Sequence, residues 1–443
     1  MYPYLSQTEG DIKKMLEVIG VNDVEDLFSD IPEDLRLKND LNLPKAMSEL
    51  EVRAKIGNMA KKNKANLPIF MGAGIYDHYI PSIIPAITSR SEFYTSYTPY
   101  QPEVSQGTLQ YIFEFQTMIC DLTGMDVANA SVYDHSNAVV ESAIMCSVVS
   151  RKKKVLVSET LNPSARRVLD TYAHAQSLEI EVIPEKDGIT DVDKLKTMVD
   201  DETACVICQS PNFYGIIEDL KTLADITHTS KKAAFVASVD PIFLGVSKRP
   251  GDLGCDVVIG EGQALGIPMN FGGAYLGFMA VTDKFMRKMP GRIVGQTVDR
   301  NGKRCFVLTL TAREQHIRRE KATSNICSNQ GINTLAATIY LTVMGKQGLR
   351  EVAKLCTQKA HYLQKKLEEK GLKLKYNKPF FKEFVVEGLT SEQQKELLKD
   401  KDMIGGFPLS KLLKERTNEI LFAVTEKRTK EEMDALVSAL EVK

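Results

Sequence analysis

Six consecutive residues, Ala234-Phe235-Val236-Ala237-Ser238-Val239, run without the polar alternation of a half-exposed strand and stop at Asp240-Pro241. Such a strand is buried on both faces, which among sheet architectures means a parallel sheet covered by helices. Strand-like and helix-like runs alternate ahead of it. Val155-Leu156-Val157 precedes a helix starting near Pro163, Ile180 to Pro184 one starting near Asp191, and Cys205 to Cys208 one covering Leu220 to Ile226. That rhythm predicts an α/β fold with a mostly parallel, doubly wound sheet, whose ligands sit beyond the carboxyl ends of the strands. Asp240, the turn Asn212-Phe213-Tyr214-Gly215 and a Gly-rich turn from Glu261 to Gly273 would converge there.

After Asp240 comes a second short strand, Asp256-Val257-Val258-Ile259-Gly260, and then Glu261-Gly262-Gln263. A strand-end Asp followed by a second strand and a Lys is the layout of enzymes that hold pyridoxal phosphate. The Asp pairs with the pyridinium nitrogen and the Lys forms the Schiff base. Here no lysine stands between Lys248 and Lys284, and Gln263 occupies the expected place. An amide cannot form an imine, so the pattern is that of a cofactor-enzyme fold unable to anchor the cofactor itself. Lys248, in the loop Ser247-Lys248-Arg249-Pro250 ahead of the second strand, is the one nearby candidate for a self-sufficient pyridoxal enzyme.

A chain of 443 residues should form more than one domain. Residues 1–66 read as an amphipathic helical segment, with start signals at Thr8, Asp23 and Ser48. Residues 67–330 read as the large α/β domain. Residues 331–443 read as a small α+β domain, with a helix Leu335 to Val343, strands at Glu383 to Val386 and Ile420 to Val424, and a closing helix from Lys430 to Leu440. The 57 basic and 58 acidic residues nearly cancel, which removes the electrostatic case for nucleic acid or an anionic membrane as main partner. No apolar run reaches the roughly 18 residues that span a bilayer, and Met1-Tyr2-Pro3-Tyr4 does not open a signal peptide, so the expectation is a cytoplasmic protein. Eight scattered cysteines read as free thiols. Cys205 and Cys208 have CxxC spacing, but on a strand residues three apart point to opposite faces, and no metal site is expected.

From Met71 the sequence turns to Gly, Tyr and Pro. Five of the 15 tyrosines lie between Tyr76 and Tyr100, in a Pro-interrupted loop region that reads as pocket lining rather than a plain surface loop. A helix then runs from about Gln106 to Gly124. Gly72-Ala73-Gly74 and Gly260-Glu261-Gly262 start but do not complete a dinucleotide fingerprint, and Arg151-Lys152-Lys153-Lys154 reads as a solvated connection. Arg318, Arg319 and Lys321 have the charge to bind a phosphate or carboxylate and equally the look of a solvated helix face.

Together these stretches resemble the glycine-cleavage-system P-protein (glycine decarboxylase) family, specifically the N-terminal half that many bacteria make as a separate subunit. The residues that carry the resemblance are Met71 to Pro81, Tyr97 to Leu109, Phe115 to Met118, Gly124 to Ser131, Gly260 to Gln263, Asn270-Phe271-Gly272-Gly273, and Arg318 to Cys327. The resemblance implies a fold-type-I, aspartate-aminotransferase-like architecture and a heterotetramer of two such chains with two copies of a subunit 2. That partner subunit, rather than this chain, would carry the pyridoxal phosphate on its Schiff-base lysine, leaving Asp240 as a relic of the pyridinium partner. The implied reaction is the decarboxylation of glycine, with CO2 leaving and the aminomethyl group passing to the lipoyl arm of the H-protein; this chain alone would be inactive. Tyr94, Tyr97, Tyr100 and Gln101, and more weakly Lys321, Thr323, Ser324 and Asn325, are expected at the subunit interface near that site. The family usually reads Tyr-Asp-Gly-Ala-Thr where this chain has Tyr133-Asp134-His135-Ser136-Asn137, so His135 is read as a tolerated surface residue. A rival reading makes the chain a non-catalytic scaffold that stabilises subunit 2 and docks the H-protein.

Overall fold

All six residues of the strand Ala234–Val239 are buried, and they lie fourth in a seven-stranded sheet. In chain order its strands are β1 (Val127–Ala128), β2 (Lys154–Ser158), β3 (Glu179–Ile183), β4 (Thr203–Ser210), β5 (Ala234–Val239), β6 (Val257–Glu261) and β7 (Gly277–Val281). The spatial order is β1-β7-β6-β5-β4-β2-β3. Strands β3, β2, β4, β5 and β6 are mutually parallel, and β7 runs against both of its neighbours. The computed structural model describes residues 4–39, 41–270, 272–326 and 328–440. Phe271 and Cys327 of the family-like motifs, and Met1 to Pro3 at the start, lie outside the described residues.

Each face of the sheet carries its own core. Helices Gln106–Thr123 and Leu220–Thr227, with the first part of Gly331–Glu369, pack on one face through Leu109, Ile112, Phe115, Leu223 and Tyr340. Helices His135–Ser150 and Pro163–Gln176 pack on the other through Val139, Ala143, Ala165 and Leu169. The alternation along β4 sorts its thiols accordingly: Cys205 enters the second core and Cys208 the first, both free. Local chemistry sets the helix starts. Asp134 accepts from the Asn137 amide, Asp219 from that of Thr222, and Asn162 caps a helix whose first residue is Pro163.

The chain divides into two compact units, residues 1–65 and 66–443. The second holds the seven-stranded sheet and also an antiparallel four-stranded sheet, in the order Lys373–Leu374, Glu383–Glu387, Glu419–Ala423, Phe407–Pro408. The helix expected over Leu335 to Val343 is longer. It runs from Gly331 to Glu369 and is interrupted at Gly345, whose φ of 58° and ψ of −173° are not helical. The strand Gly277–Val281 and the hairpin Ile293–Val298 with Arg304–Thr309 add to what the sequence pattern marks out. In the first unit, helices Glu9–Ile19 and Glu49–Ala60 both open with capping boxes, Thr8 with Asp11 and Ser48 with Glu51. No residue of either helix is buried. Among the described residues no helix is long and apolar enough to cross a membrane.

Candidate functional site

The carboxyl ends of β4, β5 and β6 open into a cleft lined by Gln209, Ser238, Asp240, Glu261 and Gln263. Its opposite wall comes from residues remote in sequence, Tyr76 and the pair Lys382-Glu383. The expected convergence of Asp240 and the Gly262 turn is therefore present, and Gly215 of the Asn212 turn lines the same cleft.

Pro241 ends β5, and Asp240 turns the chain there. Its Oδ1 accepts from the Ile242 amide at 2.8 Å, which leaves Oδ2 facing the cleft. That oxygen is taken by Lys382, whose Nζ lies 2.6 Å away on a side chain only 2 % exposed. Lys382 stands directly before the strand Glu383–Glu387. Its ammonium also rests over the Tyr76 ring, 3.4 Å from the centroid, and contacts Nε2 of His78 at 3.0 Å. An ammonium can only donate, so Nε2 accepts and the ring proton sits on Nδ1, which faces Glu426 Oε2 at 2.7 Å. A continuous chain of charge-assisted bonds results, Asp240–Lys382–His78–Glu426.

The electrostatics follow from this pairing. Burial acts to raise the Asp240 pKa, but the charge and hydrogen bond of Lys382 outweigh it and hold the carboxyl below its ordinary value. Burial opposes ionisation of Glu426 too, yet hydrogen bonds from His78 and the Tyr79 amide bring its pKa down to about 2. Glu383 goes the other way. Burial pushes it up to about 7, although it accepts from the Ala73 amide at 2.7 Å and the Tyr76 hydroxyl at 2.8 Å.

Gln263 lies 2 % exposed in the same cleft. Its Oε1 accepts from the Tyr76 amide at 3.0 Å, and its Nε2 donates to the carbonyls of Tyr76 at 3.0 Å and Ile267 at 2.8 Å. The amide thus pairs with the Tyr76 backbone as a neighbouring strand would, and holds the aromatic loop onto the sheet.

The cleft does not fit pyridoxal phosphate. The Lys382 ammonium sits on the cleft-facing oxygen of Asp240, where a pyridinium nitrogen would have to stand, Gln263 is committed to the backbone, and about 50 Å³ remains, against roughly 300 Å³ or more for a small-molecule pocket. Lys382 is the single lysine in the lining, and its amine is bound to the wall. Lys248, the candidate for a self-sufficient enzyme, is exposed and outside the lining.

His135 departs from its expected place on the surface. It opens the helix His135–Ser150, lines the cleft, and bonds through Nε2 to Ser238 Oγ at 2.7 Å, with burial holding its pKa down to about 4. The reason is the register of Asp134, whose capping role points the helix start at the end of β5.

The loop tyrosines divide. Tyr76 is in the cleft, whereas Tyr94 and Tyr97 are 74 % and 81 % exposed and Gln101 is exposed beside them. Tyr100, half exposed, accepts through its hydroxyl from Arg292 at 3.1 Å. Thr323 and Ser324 line a separate cavity with Arg292, and Ser324 donates to the buried Glu141 at 2.8 Å. Lys321 and Asn325 are exposed and do not line that cavity. Sequence reasoning missed Lys382, His78, Glu426 and Arg292. One signal was available for the first: Lys382-Glu383 are two charges embedded in the apolar run Phe380 to Val386.

The family model described as "Glycine cleavage system P-protein" matches residues 2–440. A relative from Bacillus cereus (strain B4264), named "Probable glycine dehydrogenase (decarboxylating) subunit 1", is 53 % identical over 444 residues, covering 99 % of each chain. Among solved structures, a glycine decarboxylase (P-protein) of the glycine cleavage system in inhibitor-bound form superposes with a TM-score of 0.90 at 40 % identity, covering 99 % of this chain and 100 % of that one. An aspartate aminotransferase from Thermus thermophilus superposes at 0.59 with 13 % identity, over 84 % of this chain and 97 % of its own, and shares the fold alone.

Proposed function

This chain belongs to the glycine cleavage system P-protein family, and from that premise we propose that it is the cofactor-free member of a two-subunit glycine decarboxylase. In this reading a second subunit binds pyridoxal phosphate, which when bound supplies the electron sink for loss of CO2 from glycine. The pair passes the aminomethyl group to the lipoyl arm of the H-protein, in the cytoplasm. Two copies of each subunit would form the complex. The present chain's part is to complete the site from the interface side: Tyr94, Tyr97, Tyr100 and Gln101 on one loop, with Lys321, Thr323, Ser324 and Asn325, would face the partner, where donors orient a substrate carboxylate and exclude water.

The observation that carries this reading is the Asp240–Lys382 pair beside a clasped Gln263. A group that cannot enter this cleft must be held elsewhere for the family's chemistry to proceed. The same closed cleft favours a second reading, in which the chain is a scaffold that stabilises its partner and docks the H-protein without touching glycine.

The deciding experiment is an absorbance scan of the purified chain with pyridoxal phosphate, before and after borohydride, with peptide mapping of any reduced lysine. The expected result is no aldimine band and no labelled lysine, with decarboxylation appearing only when the second subunit is added. A stoichiometric label on one lysine would overturn the proposal, and full activity of the second subunit alone would favour the scaffold.

A further inference from the structure

Away from the Asp240 cleft, a small cavity is lined by Gly291, Arg292, Arg313, Glu314, Thr323 and Ser324, among others. Arg292 is 4 % exposed and forms part of its wall. Its Nη2 donates to Tyr100 Oη at 3.1 Å and lies 3.5 Å from Glu314 Oε2, and its guanidinium packs on the Tyr100 ring at 5.1 Å. Its other two nitrogens, Nε and Nη1, are buried without a partner.

A carboxyl in that position could relieve the cost by taking up a proton, but a guanidinium cannot lose one. Unfilled donors on a buried ion cost several kcal/mol, so the fold holds them only where something else offsets that cost. Arg313 does not compete for the role. Its Nε, Nη1 and Nη2 all donate to backbone carbonyls, those of Leu310, Met289 and Gly291. It adds charge to the wall but has no donor group left idle. The lining also contains Lys288, so three cations (Arg292, Arg313, Lys288) face one carboxylate (Glu314).

We infer that this cavity is a carboxylate-binding site with Arg292 as the binding group. The surplus of positive charge selects an anion, and the space selects its size. About 30 Å³ is open, enough for two or three water-sized positions and hence for a carboxylate head. A phosphate dianion would set a second negative charge against Glu314 and require room for four oxygens. Thr323 and Ser324 belong to the lining, Ser324 with its hydroxyl proton given to Glu141 and its oxygen accepting from the Ile326 amide, whereas the neighbouring Arg318, Arg319 and Lys321 do not line the cavity. The carboxylate could be that of a small amino acid or of an Asp or Glu side chain on an associating subunit; the second source rests on the two-subunit reading above, the site itself does not.

The test uses the full-length chain alone, with 13C-labelled acetate as probe and ionic strength matched with chloride. The expected result is broadening of the acetate carboxyl resonance by the wild-type chain, weakened about tenfold in Arg292→Met, as loss of a charge-assisted pair would give. Should the methionine variant not fold, Arg292→Lys is read instead, since it keeps the charge and stem but not the fork; a weaker, measurable loss is expected. Tyr100→Phe, at a half-exposed position, should weaken binding less than either. Competition by glycine identifies a small-molecule source, and release of acetate on adding the second subunit identifies a side chain. Absence of broadening by the wild type, or equal broadening by the Arg292 variants, would overturn the site while leaving the absorbance result for the two-subunit reading untouched.

Discussion

Lys382 is anchored from three sides, by the Asp240 carboxylate, the Tyr76 ring and His78, and it is among the most deeply buried side chains of the molecule. Removing one partner of such a pair leaves a buried charge without compensation, whereas removing both leaves a neutral cavity. Lys382→Met should therefore lower the unfolding free energy by roughly 3–5 kcal/mol, and adding Asp240→Asn to it should recover part of that loss. Urea denaturation of the wild type, both single variants and the double variant measures this; strictly additive losses would mean that the two side chains do not act as a unit. None of this is visible in the chain as a string. Asp240 stands out because a strand must end somewhere and a carboxylate at that end is unusual, and Gln263 because a lysine is missing. Lys382, 142 positions beyond Asp240, carries no local pattern that ties it to the cleft. Only the pairing of two sheets brings them together.

At the scale of elements, the parallel strands and their covering helices are legible because uniform burial leaves an unbroken apolar run, as in β4 and β5. Strand β7 carries an apolar run as well, Phe278 to Val281, all buried, but it follows a glycine-rich turn and its reversed direction leaves no mark in composition. The amphipathic period over Leu335 to Val343 marks the start of the long helix but not its continuation past Gly345. How the two sheets meet depends on backbone contact: the Asn212 turn reaches the second sheet through Gly215, whose carbonyl accepts from Phe381 N at 3.2 Å. Gly215 has a φ of 84°, and a Cβ there would overlap the carbonyl of Glu383. Gly215→Ala is expected to cost about 2 kcal/mol or more and to shift the urea midpoint accordingly, because backbone strain and overlap act together. A midpoint equal to that of the wild type would show that the two sheets are less rigidly joined than this contact implies.

For the whole molecule, stability is unevenly divided. The unit from Asn66 onward contains four clusters of buried apolar residues, while in the unit Met1–Ala65 none of the described helical residues is buried. Short helices without a packed face are marginal in water. A peptide of residues 1–65 alone should show no cooperative thermal transition by circular dichroism and poor amide dispersion by NMR. A sharp transition would mean that this segment builds a core of its own.

The internal ion pair in the cleft also bears on how the chain reaches its folded state. A protein that closes around a diffusible ligand gains RT ln(1 + [L]/Kd) in stability, so its folded population follows the supply of that ligand. Here the positive charge that meets Asp240 is encoded in the chain, as Lys382, and arrives with the polypeptide itself. The pairing at the end of β5 is therefore complete once the chain has folded, with no diffusible cation needed at Asp240.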